Sequence, residues 1–316
     1  MPNLAQRLLT AASIVGTLLV WPGGVQAQSH AGNTAIEAPV SIGVPSDVLT
    51  DYYAMFGQNH SFYHKPDYTH PKSRRDVVEV ALVQRALRLG GINAPLVLAP
   101  IDGYLRITQQ IHDGLISLSG TTMFANDAER TPLSLDISLP IIQRGEFNVG
   151  VYTSAHNQHA INQTHLQGLR TLHFVVANNW LFDIELLKSM GINKITKVSN
   201  WDSMVKMVLA KRADALLAPF SHRKDLAIHV LDDQQLLPIP GIQVSFPVER
   251  VFLITRQHPQ AQLIGQALNA GIKQLISSGE VNEAYTASGF FNQAAKSWRV
   301  INRPDAPRPG GLPPKN

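Results

Sequence analysis

Strand-like and helix-like segments alternate along this chain, and this alternation restricts its fold more than any other feature of the sequence. Residues 40–45 (VSIGVP), 95–99 (PLVLA) and 115–119 (LISLS) have the pattern of short strands. Between them, residues 74–91 carry apolar side chains at helical spacing, and residues 104–112 have the pattern of a shorter helix. The β-α-β-α-β order predicts an α/β domain with a largely parallel sheet.

The same order of patterns then occurs a second time. Its strand and helix patterns lie at residues 147–152, 173–177, 180–190, 194–198, 201–209 and 214–218. A final strand at 250–255 and a long helix at 260–277 have no partner in this second unit, so they would fit if the chain returned to complete the first. Residues 51–73 are polar and rich in aromatic residues and histidine, which predicts a loop.

The first residues have the composition of a secretory signal peptide. Arg7 precedes an apolar stretch at residues 8–21, and Val25-Gln26-Ala27 has the small-x-small pattern of a cleavage site. We therefore expect residues 1–27 to be a cleaved signal peptide and the protein to be periplasmic; the alternative is an uncleaved N-terminal anchor. No later segment is continuously apolar over the ~20 residues that a transmembrane helix needs.

The composition argues against several kinds of site. The chain has no cysteine, which rules out disulfides, thiolate zinc sites and iron–sulfur clusters. The net charge is +4, and the basic residues form short groups without interleaved aromatic residues, which disfavours nucleic-acid binding but could help attract an anionic solute. Fingerprints of nucleotide binding, zinc proteases and serine hydrolases are absent, so we expect no cofactor. His60, His64 and His70 are interpreted as loop histidines rather than metal ligands.

Four stretches occur in an order that resembles a known family. They are IHDGLISLSG, NDAERTPLSLDISLPI, LAKRADALLA and QALNAGIKQLISSGEVNEAYTASGF. Together they make residues 40–291 similar to the type II periplasmic solute-binding proteins, in the group that includes amino-acid binders (solute-binding protein family 3). Two departures are the missing aspartate after Leu115 and Lys211 in place of a glycine. NNWLFDIELLKSMG also resembles an element of a poorly characterised subgroup.

The resemblance implies two lobes joined by two crossover strands, each lobe a mostly parallel sheet flanked by helices. The first lobe would comprise residues 38–145 plus 248–292, and the second residues 146–247. Independently of the resemblance, the proline-rich composition of residues 299–316 predicts a disordered tail. A small-molecule ligand would bind in the cleft of a monomer, and the lobes would close over it. The usual partner of such a protein is an inner-membrane ABC permease.

Arg130 is the first candidate for a ligand contact. It lies shortly after the strand at residues 115–119, and ligands of open α/β sheets bind beyond the carboxyl ends of strands. A guanidinium can hold a carboxylate through two charge-assisted hydrogen bonds, and the resemblance implies that an arginine at this place binds the carboxylate of the ligand. The alternative is a salt bridge with Glu129 or Asp127.

Further candidates lie at the same expected edge of the first sheet. Thr121 and Thr122 follow the strand and could donate hydroxyl hydrogen bonds to the same anion, or could be ordinary polar loop residues. Tyr104 and Arg106 open the preceding helix and are expected to face the cleft edge, the alternative being a solvated helix start.

The second lobe offers the start of the helix at residues 180–190. Asn179, Trp180 and Asp183 lie there, where free backbone N–H groups can bind an anion. Trp180 could stack on a ligand or be a core residue, and Asp183 could be a first-turn carboxylate favoured by the helix dipole.

The loop after the strand at residues 214–218 departs from the resembled pattern. In α-amino-acid binders an acidic residue shortly after this strand holds the ammonium group of the ligand. Here the loop reads PFSHR, and no carboxylate appears before Asp225, which makes a carboxylate without an α-amino group plausible. His222, from this loop, is the last candidate ligand contact.

These observations favour a non-enzymatic binding protein for a small polar, carboxylate-bearing solute that is passed to an ABC permease. One alternative is a ligand-sensing periplasmic protein that docks on a membrane receptor or kinase. The other is a dehydratase-like enzyme on the same fold, for which Glu129 and Asp183 are the candidate general acids or bases.

Overall fold

The computed structural model describes residues 38–130, 133–230 and 234–303, apart from the side chains of Asp127 and Arg130. The described residues belong to one compact unit. The expected signal peptide, and residues 304–316 of the expected tail, lie outside this description. Within the described ranges, every helix is too short or too polar to span a lipid bilayer.

The elements follow each other along the chain in three groups. The first comprises β1 (Val40–Val44), α1 (Ser46–Phe56), α2 (Arg75–Leu89), β2 (Leu96–Pro100), α3 (Tyr104–His112), β3 (Leu118–Ser119), β4 (Met123–Phe124), α4 (Ala125–Arg130) and β5 (Leu135–Ile137). The second comprises β6 (Phe147–Ser154), α5 (Gln158–Ile161), α6 (Leu166–Leu169), β7 (Phe174–Ala177), α7 (Leu181–Ser189), β8 (Ile195–Val198), α8 (Trp201–Leu209), β9 (Leu216–Ala218), β10 (Ile228–His229), β11 (Gln235–Pro238) and β12 (Ile242–Phe246). The third comprises β13 (Arg250–Val251), β14 (Leu253–Thr255), α9 (Ala261–Ser277), α10 (Glu280–Ala287) and β15 (Arg299–Val300).

The first lobe is built on a sheet with the strand order β2-β1-β3-β14-β5. β1 is parallel to β2 and β3, as the alternating pattern predicts, and β14 is antiparallel to both of its neighbours. The late strand β14 therefore returns to complete the first sheet. Its companion α9 packs on α2, whose buried face includes Val78, Leu82 and Ala86 at helical spacing.

The second lobe is built on a sheet with the order β10-β11-β6-β12-β15, in which β9 also pairs with β6. β6 is antiparallel to β9, β11 and β12, so the expectation of a mostly parallel sheet is wrong for this strand. The reason is topological: the chain enters the second lobe along β6 and leaves it along β12, so two neighbouring strands run in opposite directions. β7 and β8 keep the predicted parallel arrangement.

The segment expected to be a loop at residues 51–73 begins inside a helix, since α1 continues to Phe56. Tyr52 and Phe56 lie one helical turn apart and contact each other with ring centroids 5.3 Å apart. Phe62 packs against both rings; Tyr52 and Phe62 are buried, and Phe56 is partly buried against the same core. The aromatic residues that suggested an irregular loop thus form a small core cluster.

The C-terminal segment also differs from its prediction. Residues 299–316 are expected to be disordered, but Arg299–Val300 form β15, which is parallel to β12. Trp298 packs edge-on against Phe220, with ring centroids 5.4 Å apart. The first proline of the tail is residue 304, so the proline-rich composition begins only after this strand. The chain therefore passes between the lobes a third time, from α10 to β15.

Asn302 fixes the end of this third passage. Its side-chain oxygen accepts a hydrogen bond from the Ser245 amide (2.9 Å), and its side-chain nitrogen donates to the Ser245 carbonyl (2.7 Å). We expect Asn302→Ala to lower the free energy of unfolding by about 1–3 kcal/mol, because two backbone groups of the buried strand β12 lose their partners. Urea denaturation measures this loss. The control, Gln293→Ala at an exposed position of the same passage, should leave stability unchanged; equal stabilities of the two variants would contradict the prediction.

Candidate functional site

A cavity of about 420 Å³ is lined by residues of both lobes. The first lobe contributes the starts of α1, α2 and α3, the loop after β3, and the strands β4 and β13. The second lobe contributes the starts of α7 and α8 and the end of β9, while β6 crosses the cavity between the lobes. The carboxyl ends of β3, β7 and β9 meet here, which is where ligands bind in open α/β sheets.

Six of the residues proposed from the sequence line this cavity. They are Tyr104, Thr121, Thr122, Asn179, Trp180 and Asp183. The fold thus brings together the strand-edge threonines of the first lobe and the helix start of the second lobe. Trp180 also packs against the core of the second lobe, so it is at once a core residue and a cavity residue.

The other three candidates are placed differently. Arg106 is exposed on α3 and is not among the cavity residues. His222 also lies outside the lining; its Nδ1 atom is 3.2 Å from the Ser73 carbonyl oxygen, and this contact ties the loop after β9 to the first lobe. Arg130 ends α4, and its side chain is outside the described groups, so its contact with a ligand stays a prediction.

The wall of the first lobe contains a buried charge network whose residues were not among the predicted site residues. Glu79 has 0% exposure, and both of its oxygens accept hydrogen bonds from Nη1 of Arg75 at 2.8 and 2.9 Å. Thr122 donates its amide (2.8 Å) and its hydroxyl (2.7 Å) to the same carboxylate, and the Tyr285 hydroxyl lies 3.3 Å away. Glu79 therefore holds Arg75 and the loop after β3, which contains Thr122, in a fixed position relative to each other.

Arg250 is the second cation of this wall and is 8% exposed. Its Nε donates to the Thr122 hydroxyl (2.8 Å), and its Nη2 donates to the Thr122 carbonyl. The guanidinium lies over the rings of Phe124 and Phe147, 4.5 and 4.9 Å from their centroids. Burial, together with the nearby positive charge of Arg75, lowers the pKa of Arg250 to about 10, so the group still carries its charge at neutral pH.

Arg75 and Arg250, held by Glu79 and Thr122, are called the guanidinium floor below. Among the described residues, Glu79 is the single carboxylate that accepts hydrogen bonds from either arginine. Nε of Arg75 is buried without a hydrogen-bond partner, and Nη1 of Arg250 makes no hydrogen bond within the described part of the chain. Because Nε of Arg75 has almost no exposed surface, the donors that the floor can offer to an anion are Nη2 of Arg75 and Nη1 of Arg250.

Carboxylates also line the cavity, at Asp47, Asp76 and Asp183. Burial by itself raises the pKa of Asp76, but the charges of Arg74 and Arg75 outweigh it and hold that pKa below its usual value. The loop after β9 contributes no carboxylate to the lining, as its sequence suggested. Acidic groups nevertheless reach the cavity from other elements, so the geometry gives no reason to exclude a ligand with an amino group.

Aromatic side chains gather where the lobes are joined. Phe124 contacts Phe182 of the second lobe and Phe246 of the crossover strand β12, with ring centroids 5.1 and 5.4 Å apart. Phe147, at the start of the other crossover strand, lies 4.9 Å from Phe246. These four rings form the hinge cluster, which fixes the apolar side of the cavity beside the guanidinium floor.

A local sequence signal for the floor does exist. Arg75 and Glu79 are four residues apart, and Glu79 shares a helix face with Leu82 and Ala86, which lie three and seven residues further on. A carboxylate on the buried face of a helix needs a partner, and Arg75 is the one within helical reach. Arg250 similarly opens an apolar strand, RVFLIT.

In the described ranges of a chain without cysteine, the residues that could hold a metal ion are histidine, aspartate and glutamate. No group of three or more histidine, aspartate or glutamate side chains there is arranged to hold a metal ion.

Comparison with protein-family models and with curated proteins gives no match to this chain. Solved structures do match. The periplasmic VFT2 domain of BvgS from Bordetella pertussis is 15% identical, with a TM-score of 0.52, over 80% of this chain and 93% of that domain. The probable amino-acid ABC transporter extracellular-binding protein ytmK from Bacillus subtilis is 8% identical, with a TM-score of 0.53, over 80% of this chain and 99% of the other.

These likenesses confirm the predicted fold. The chain has the α/β, two-lobed architecture of type II periplasmic binding proteins, with mixed sheets in its two lobes. At such low identity the comparison supports the architecture alone, because one fold hosts many different sites. What this cavity does has to be inferred from its own residues.

Proposed function

We propose that this chain, with its two-lobed type II periplasmic binding fold, is a non-enzymatic, periplasmic solute-binding protein that captures a small polar, carboxylate-bearing ligand between its lobes. The observation that carries the proposal is the position of the guanidinium floor: Arg75 and Arg250 both line a cavity to which both lobes contribute residues. Guanidinium groups match the planar geometry of a carboxylate and hold it through charge-assisted hydrogen bonds. A ligand that contacts both lobes stabilises the closed arrangement by its higher affinity for that state.

Delivery to an inner-membrane ABC-type permease by the monomer is part of the same proposal. The Bacillus subtilis neighbour is named as the binding protein of a probable amino-acid ABC transporter, which supports this role by analogy of fold. The proposal also keeps the lobe boundaries 38–145 plus 248–292 and 146–247, with β15 added to the second lobe, and the strand order of the two sheets supports this division.

A thermal-shift screen against amino acids, organic acids and polyamines tests the binding function. At a ligand concentration 100-fold above Kd, binding adds about 2.7 kcal/mol of stability. For a chain of this size that corresponds to a rise in Tm of roughly 4–5 °C. We expect at least one carboxylate to give such a concentration-dependent rise, and no rise with polyamines. A screen in which no carboxylate raises Tm would contradict the proposed function.

Two variants separate the candidate contacts. Arg75→Lys keeps the positive charge beside Glu79 but removes the planar fork of the guanidinium, so the protein should fold and its ligand-induced rise in Tm should be smaller.

Arg130→Ala tests the contact that the family resemblance implies, and we expect it to lose the ligand-induced rise in Tm while the ligand-free protein stays folded. A retained shift in Arg130→Ala would remove Arg130 from the site and leave the guanidinium floor as the anion contact.

A further inference from the structure

We propose that the preferred ligand of this cavity is an aromatic carboxylate, a benzene- or indole-type ring that carries its carboxylate on a short arm. This inference rests on the proposed function and names the ligand class of the same site. Two features of the cavity carry it: a fixed cationic end and a set of aromatic side chains around the remaining space.

The cationic end cannot move away from the cavity. Arg250 is almost fully buried and is held by two hydrogen bonds to Thr122, and Arg75 is held by both oxygens of Glu79. Both guanidiniums lie beside Phe147, whose ring centroid is 5.9 Å from the Arg75 guanidinium carbon. A carboxylate bound there has a defined position at one side of the cavity, next to aromatic rings.

The remaining space is lined by aromatic side chains from both lobes. Tyr104 lines the cavity from the first lobe, and Trp180, Phe182 and Trp201 line it from the second lobe. The two indoles are only partly buried, and within the described part of the chain neither makes a ring contact with another aromatic side chain. Aromatic faces without a stacked neighbour can stack on a planar ligand ring.

Other ligand classes use these two features less well. An aliphatic carboxylate would satisfy the floor but would gain no ring stacking from Trp180 and Trp201. A neutral sugar would stack on the rings but would leave the donors of Arg75 and Arg250 without an anion. The volume, about 420 Å³, lies in the lower part of the range of roughly 300–1,000 Å³ that small-molecule pockets occupy. A single-ring or indole-sized acid is of suitable size.

Isothermal titration calorimetry with five probes tests this inference on the purified protein. Phenylacetate and indole-3-acetate are the aromatic carboxylates, and phenylalanine adds an α-amino group to the same chemistry. Cyclohexylacetate keeps the arm and the carboxylate but has no aromatic ring, and phenylacetamide keeps the ring but has no charge. We expect the best aromatic carboxylate, with or without the amino group, to bind about 3–10-fold more tightly than cyclohexylacetate and phenylacetamide to show no measurable binding.

The possible outcomes distinguish this inference from the proposed function. If cyclohexylacetate binds as tightly as the best aromatic probe, the ring preference is wrong and the carboxylate-binding function stands. If no carboxylate binds in this assay or in the thermal-shift screen, both are wrong. If phenylacetamide binds as tightly as phenylacetate, the carboxylate itself is not recognised, which also contradicts both.

Two variants at the aromatic wall give a second measurement. Trp180→Leu and Trp201→Leu should each weaken phenylacetate binding by about 2–10-fold and weaken cyclohexylacetate binding by a smaller factor. Tryptophan fluorescence provides an independent readout, because two of the four tryptophans of the chain line the cavity. Variants that fold as the parent does and lose affinity equally for both acids would overturn the stacking role.

Discussion

Replacement of Glu79 by glutamine is expected to lower the free energy of unfolding by about 3–5 kcal/mol, because it breaks a buried ion pair and leaves the partner cation uncompensated. Glu79 is fully buried and accepts hydrogen bonds from Arg75, from the amide and hydroxyl of Thr122, and from Tyr285. Glutamine keeps the shape of the side chain but not its charge. Arg75 would then lose the carboxylate to which it donates hydrogen bonds, and Asp76 would be left as its nearby counter-charge. Urea denaturation monitored by circular dichroism measures the change.

Glu283→Gln is the matched control for this prediction. Glu283 has the same chemistry and an ion pair of similar length, with Lys65 at 2.8 Å, but its side chain is 51% exposed and that of Lys65 is 50% exposed. Exposed pairs contribute about 0–1 kcal/mol because water and salt screen them. A loss below about 1 kcal/mol in Glu79→Gln, no larger than in the control, would show that the buried network is not required for stability.

Gly271→Ala is expected to lower the free energy of unfolding by about 3 kcal/mol or more. Gly271 lies in α9 where this helix crosses α2, and a Cβ atom built on it would lie 1.9 Å from the Ala86 carbonyl oxygen. The obstacle is backbone, so a rotamer change cannot relieve it and the two helices would have to separate. Because α9 returns to the first lobe from late in the sequence, its displacement should loosen that lobe.

Gly265→Ala in the same helix is the control, and it should have the opposite sign. A Cβ atom there meets nothing closer than the Ile254 Cδ1 atom at 3.6 Å, an ordinary contact. Alanine is the better helix former by about 0.5–1 kcal/mol, so this variant should be slightly more stable than the parent protein. If both variants change stability by the same amount, helix propensity rather than close packing explains the result.

Elements with strong local periodicity can be predicted from this sequence. α3 and α8 have the predicted bounds, since their apolar spacing and terminating residues lie within the segment itself. The strand directions around β6 could not be predicted in this way, because they depend on where the chain crosses between lobes. α1 was missed because Tyr52 and Phe56 form helical contacts inside a stretch whose overall composition is that of a loop.

The residues of the candidate site could likewise be predicted where the sequence signal is local and could not be predicted where it depends on long-range contacts. Thr121 and Thr122 could be placed at the cavity because the carboxyl ends of strands meet at one edge of a sheet. Arg250 could not, since its position depends on contacts with Thr122, which lies 128 residues away in the sequence. Arg75 and Glu79 are close in the sequence. Their ion pair is important because Glu79 is buried, and this burial depends on how the helix packs in the folded protein.

The third passage between the lobes offers a way to observe domain closure directly. Ala38, just before β1 in the first lobe, and Ser297, just before β15 in the second, are both exposed. The chain contains no cysteine, so Ala38→Cys and Ser297→Cys would provide two unique attachment points for a fluorescent donor and acceptor. Neither position lines the cavity, so a change in energy transfer on adding a ligand would report movement of one lobe against the other rather than contact with the dye.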